Sequence, residues 1–401
     1  MSANKFTIRL AKHRRLSLVT AAFLLLAASL VPVFLPAPSA HAQTVVATVA
    51  LPAGGVPYYA AYDSAKGEVF VANYGNNTVN VISDATNAVV ATVHVGALAW
   101  GVAYDSAKGE VFVTNNGANT TSVISDSTNA VVATVNVGGS PQGVAYDPSK
   151  GEVFVANTGA NTLSVISDST NTVVATVNVG TAPTGVAYDS AKGEVFVPNR
   201  SANTVSVISD STNAVVATVN AGTNPTGVAY DSAKGEVFVA NFGNNTTSVI
   251  SDSSNAVVAT VSVGVSPYGV GYDSAKGEMF VANFGANTVS VISDSTNAVV
   301  ATVNAGAHAY GVAYDSAKGE VFVTNRSGGT VSVISDGSST TTATSSSTST
   351  SGGGGVPEFP YQLAAATMFT LLLAASYLLV RRRTSNPGQL GKSRSTDQSH
   401  A

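Results

Sequence analysis

The feature that most limits what this chain can become is recurrence. "AYDSAKGEVFVAN" begins at Ala61, and near-copies begin at Ala103, Ala145, Ala187, Ala229, Gly271 and Ala313, always 42 residues apart. Each unit holds four short runs rich in Val, Thr and Phe, separated by turn residues, the pattern of four antiparallel strands. In the second unit the runs are "GVAYD" from Gly101, "EVFVTN" from Glu110, "TSVIS" from Thr121 and "AVVATVNV" from Ala130, named A to D below. "DSAKGE" between A and B reads as a type I turn closed by a left-handed glycine, and Pro148 in the deviant copy "DPSKGE" sits where such a turn favours proline. The β-branched content and dense Gly and Asn punctuation exclude helical repeats, which leaves an open β-solenoid or a closed propeller.

Counting strands decides between them. Seven A, B and C runs occur, but the seventh unit breaks off at Gly337 with no D run behind it. The missing run lies at the front: "TVVATVAL", Thr44 to Leu51, matches "AVVATVNV". A first segment that completes the last unit makes sense only if the two ends of the array meet. The expectation is an all-β, seven-bladed β-propeller of seven 42-residue, four-stranded repeats, closed by an N-terminal strand.

The flanks set the expected address. Five basic residues precede an apolar run from Leu16 to Leu35, and Ala40 and Ala42 supply the small residues of a signal-peptidase site. Residues 1–42 therefore read as a signal peptide and 43–336 as the propeller. Residues 337–355, "GSSTTTATSSSTSTSGGGG", read as a flexible linker. Tyr361 to Val380 is an uncharged run long enough, at about 1.5 Å per residue, for one C-terminal transmembrane helix. Arg381, Arg382 and Arg383 then open a basic tail, 381–401, which holds that end in the cytoplasm and places the repeats outside. The expected product is an exported, single-pass membrane protein displaying its propeller at the cell surface. With no cysteine, its stability rests on packing.

Residues 43–355 carry 21 acidic side chains against seven lysines and two arginines. That balance makes nucleic acid and anionic membrane surfaces poor partners for the domain. Every acid belongs to one of three sevenfold sets, typified by Asp63, Glu68 and Asp84, read as turn-forming aspartates and solvated glutamates. Such sets lack the asymmetric pair that acid–base catalysis uses, so the chain is not expected to be an enzyme. With only His94 and His308 in the domain, no cofactor is expected; structural calcium bridged by carboxylate rings is the alternative reading of the acids.

Functional candidates come from comparing the copies. The A–B and C–D turns lie at one end of the strands and hardly vary; the other end does. The residue before each A run reads Tyr58, Trp100, Gln142, Thr184, Thr226, Tyr268, Tyr310, and the residue after the strand B asparagine reads Tyr74, Asn116, Thr158, Arg200, Phe242, Phe284, Arg326. Around a closed ring, Tyr268, Tyr310, Tyr58 and Trp100 are neighbours, forming an aromatic arc opposite a polar one that could meet a ligand's hydroxyls. Tyr58, Trp100, Tyr268, Tyr310, Tyr74, Arg200, Phe242, Phe284 and Arg326 are thus the candidate ligand-binding residues. Sequons at Asn76, Asn119, Asn199, Asn244, Asn245 and Asn325 are read as N-glycosylation sites in the B–C loops of the same varied face.

"VFVTN" at Val111 and Val321, with "VFVAN" and "VFVPN", resembles the signature of YVTN-family β-propeller repeats over roughly residues 44–336. The resemblance implies a surface-layer-like protein of archaeal type. "VPEFP", the apolar span and the arginines similarly resemble archaeal C-terminal sorting signals. The function expected is a membrane-anchored extracellular binding, adhesion or surface-layer module, with envelope proteins or glycans as partners. Two alternatives stay open: a propeller enzyme (a lactonase-like hydrolase or cofactor-dependent oxidoreductase), and a purely structural envelope spacer.

Overall fold

The computed structural model describes residues 43–337. The expected signal peptide, the linker after Gly337, the span 361–380 and the tail 381–401 lie outside the described residues. Among the described residues no helix is long and apolar enough to cross a membrane.

Twenty-eight strands form seven antiparallel four-stranded sheets, one per blade. Blade 1 comprises A (Pro57–Asp63), B (Glu68–Asn73), C (Thr78–Ser83) and D (Ala88–His94), in that spatial order. Blade 7 comprises Ala309–Asp315, Glu320–Asn325 and Thr330–Ser335, with the N-terminal strand Thr44–Ala50 as its D strand. The closure runs from Thr44 opposite Ser335 to Ala50 opposite Thr330. It even reproduces the bulge of the other outer strands: Val46 is skipped in the ladder as Val90 is in blade 1. Those skipped valines are half-exposed, 52% and 53%, because a bulge turns one extra residue out of the pleat.

Strand B explains why the repeat tolerates so little change. Val69 and Val71 pack toward blade 7 with Phe322 and Val333, while Phe70 and Ala72 pack toward blade 2 with Val111, Val113 and Ile124. Successive side chains in a strand point to opposite faces, so each face of a blade is buried against a different neighbour. All seven Phe70-type rings are essentially inaccessible.

The invariant end is a polar seam between blades. Asp63 caps its own turn, Oδ1 accepting from Ala65 N at 2.9 Å and Lys66 N at 3.2 Å. Gly67 follows at φ +66°, where a Cβ would also stand 2.7 Å from an oxygen of Asp84. Lys66 reaches Asp126 of blade 2, donating to its carbonyl and standing 3.7 Å from its carboxylate, and the pattern continues to Lys318 and Asp84 at 3.5 Å, which joins blade 7 to blade 1. Tyr62 lies between Asp84 and Asp315 of blade 7; burial, then those carboxylates, raise its hydroxyl above the usual tyrosine range.

One expectation changes here. The glutamates read as solvated are partly buried, each at the first position of strand B, with burial raising the pKa of all seven. The carboxylate rings proposed for calcium are divided between lysine, tyrosine and turn N–H donors, and among the described residues no three His, Cys, Asp or Glu side chains are grouped to hold a metal.

Candidate functional site

The varied face is built by a bulge. In blade 1, Pro57 pairs with Asn73 and Ala60 with Val71, so Tyr58 and Tyr59 together oppose the single residue Ala72. The same shift recurs in every blade whose A strand is complete. A bulge re-aims side chains, and it is what brings the varied residue to the axis. The A strands start two residues earlier than their sequence reads, at Ala99 rather than Gly101 in blade 2. In blade 4 the regular strand shrinks to Ala187–Asp189, although Pro183 still bridges Asn199; its strand B is the one containing a proline, Pro198, which brings no N–H.

Around the mouth the aromatic residues assemble as neighbours. Tyr58 lies 4.3 Å from Trp100 and 4.7 Å from Tyr310 by ring centroids, and Tyr310 stacks on Tyr268 at 4.0 Å. Tyr58, Tyr268 and Tyr310 are buried to 3%, 6% and 3% exposure. Outside them the residues after strand B form a second tier. Arg200 lies 5.2 Å from the Phe242 ring centre; Arg326 lies 5.0 Å from that of Tyr58 and 5.8 Å from that of Phe284. Tyr58, Trp100, Arg200, Phe242, Tyr268, Phe284, Tyr310 and Arg326 line one cavity of about 210 Å³. Tyr74 stays out of it and stacks behind Tyr58 at 4.8 Å.

Burial holds the hydroxyls of Tyr58, Tyr268 and Tyr310 above the ordinary tyrosine range, with Arg326 opposing it at Tyr58 and both arginines opposing it at Tyr268. At neutral pH these groups remain protonated, the hydroxyls of Tyr268 and Tyr310 paired with each other. The cavity offers ring faces, phenol hydroxyls and two guanidinium groups, a combination suited to gripping a small ring with polar substituents.

Two of the three residues of the polar arc, Thr184 and Thr226, do not behave as their composition suggests. Thr184 Oγ1 donates toward the Thr226 carbonyl at 3.0 Å and Thr226 Oγ1 toward the Tyr268 carbonyl at 3.2 Å, both hydroxyls buried. They tie one bulge to the next blade and are not presented to a ligand. Tyr59 was missed by the sequence comparison. It occupies the place held by Gly101, Gly143, Gly185, Gly227, Gly269 and Gly311 in the other blades, where a Cβ would meet the next blade's bulge carbonyl at 2.2–2.7 Å. Its ring meets Tyr310 at 5.6 Å, and it also lines a narrower axial cavity of about 150 Å³ with Gly101, Val102 and Val144. Tyr59 thus forms part of the partition between mouth and channel. One tyrosine among six glycines was the available signal.

The sequons divide. Asn199 and Asn325 are the last residues of their B strands, not loop residues, and are 0% exposed; each Nδ2 donates to a Thr and a Ser hydroxyl of strand C. Folded protein cannot present those two amides for modification. Asn119, Asn244 and Asn245 lie exposed, and Asn76 is half-buried.

No sequence family and no curated protein matches the chain. Among solved structures it is similar to Kuenenia stuttgartiensis hydrazine synthase, at TM-score 0.65 and 16% identity, over 71% of this chain and 97% of that one. At that identity the likeness concerns the propeller fold.

Proposed function

We propose that this protein is a cell-surface binding module whose ligand enters the aromatic cavity on the varied face. The observation that carries the reading is the location of divergence. Copies that are nearly identical wherever blades pack become different where the bulges meet at the mouth, and eight of the nine residues singled out there line one cavity. Its volume falls below the roughly 300–1,000 Å³ of pockets for drug-sized ligands, which suits a single sugar ring or the end of a longer chain. The signal-like start, the apolar span at 361–380 and the arginines after it support display outside the cell on a single-pass anchor. "VFVTN" and its variants, which form strand B, support placing the chain among YVTN-type surface propellers.

A glycan and envelope-protein array probed with the full-length protein tests this. Binding that Trp100→Ala with Tyr310→Phe removes is expected, a pair that keeps the buried Tyr310 ring in its stack and so holds the melting temperature within a few degrees. Binding indifferent to the pair would move the site elsewhere, and turnover of a lactone or an oxidisable substrate by the purified chain would replace the reading with an enzymatic one.

A further inference from the structure

The sorting of charge between the two ends of the propeller names the chemistry of the ligand. All 21 carboxylates of the domain stand at the end of strand A, the start of strand B or just after strand C, and all seven lysines lie in the A–B turns. One end therefore carries a formal −14, and every lysine there is engaged with an Asp84-type carboxylate of the next blade. The opposite end holds no carboxylate at all. Its formal charge comes from Arg200 and Arg326, which lie over the rings of the cavity and form no ion pair among the described residues. An arginine stacked on a ring still presents the edge of its fork, the geometry that takes a carboxylate through two parallel hydrogen bonds.

We infer that the cavity recognises a carboxylate-bearing sugar ring, the end residue of an acidic glycan, its apolar face against the tyrosines and its carboxylate held by Arg200 and Arg326. This rests on the binding reading above and sharpens it. A neutral sugar needs neither guanidinium. An anion approaching the acidic end is repelled, whereas the mouth offers two cations, so the same field that excludes acids from most of the molecule directs them to one place. The aromatic lining, which a free inorganic anion would not use, selects the ring.

Isothermal titration of the full-length protein in detergent, with tri-galacturonate and with its carboxyl-reduced neutral counterpart, decides the matter. Tri-galacturonate is expected to bind at least about tenfold more tightly, a preference that shrinks as salt is raised. Arg200→Gln with Arg326→Gln should abolish the preference at unchanged melting temperature. Arg200→Lys with Arg326→Lys, which keeps the charge and loses the fork, should retain part of it. Equal affinity for the two trisaccharides, or a preference that survives the glutamine variant, overturns the inference. Neutral sugar bound equally well and lost with Trp100→Ala would leave the binding module standing without its acidic ligand; a poly-glutamate peptide bound more tightly than tri-galacturonate would replace glycan by protein; neither sugar bound would remove the sugar reading altogether.

Discussion

At the scale of single residues, the glycines of the bulge and the one tyrosine that replaces them carry opposite instructions. Gly269 has the Tyr310 carbonyl where its Cβ would be, at 2.2 Å, and a carbonyl fixed in a neighbouring blade cannot swing away as a side chain can. Gly269→Ala is expected to cost about 2 kcal/mol in urea unfolding through overpacking; a cost near zero would mean that the bulges yield. Tyr59→Gly makes blade 1 like the rest, yet it should destabilise by about 3 kcal/mol, because an aromatic packed against Tyr310 is lost and the space it leaves is not refilled. Side-chain identity was legible at these positions; side-chain engagement was not. Thr184 and Thr226 looked available because sequence names a hydroxyl without naming the carbonyl that accepts from it, and Asn199 looked like a loop residue because a sequon says nothing about burial.

At the scale of strands, the N-terminal segment is the element with most at stake. Its pairing with blade 7 was legible because "TVVATVAL" copies a run whose role six other units define. The A-strand bulge was not, although its glycine opens six of the A runs, since a glycine there names no pairing partner and the bulge leaves the period at 42. Deleting Thr44–Ala50 exposes Val331 and Val333 and removes the buried Val49. Lost apolar burial and six ladder pairs should amount to about 4 kcal/mol, hence a fall of about 10 °C in melting temperature, with self-association through the open edge. A monomeric deletion variant of unchanged stability would contradict the closure. The lysine seam is different: the Lys150 side chain is a third exposed at 3.0 Å from Asp210, so Lys150→Met should change stability by only about 0.5 kcal/mol by the same measurement.

At the scale of the whole molecule, ring size and closure were readable, because strand counting is arithmetic on repeats. The polarity between its ends was legible too, since the A–B and C–D turns beside which every acid lies share one end of the strands; that the two arginines of the other end line a single cavity was not. Seven glutamates, with Asp273, Asp294 and Asp315, have folded pKa values raised above 4.5 and 3.8, burial being the first cause. Such groups bind protons more readily folded than unfolded, so stability from them is fully present below the unfolded values and declines as pH rises through the folded ones. The domain should therefore melt higher at about pH 5 than at about pH 7. A melting temperature that falls on acidification across that interval would show that other groups dominate.

The closing strand pair also sets how the propeller answers to force. Thr44 faces Ser335, so the two ends of the domain emerge side by side at the acidic end, opposite the cavity. A pull that separates those ends loads the ladder one hydrogen bond at a time, like a zipper. A pull between a ligand held at the mouth and an attachment at Gly337 instead runs along the length of the strands, spread over many bonds at once. Tension on a bound partner would meet the stiff direction of the molecule, and tension between its own two ends the weak one.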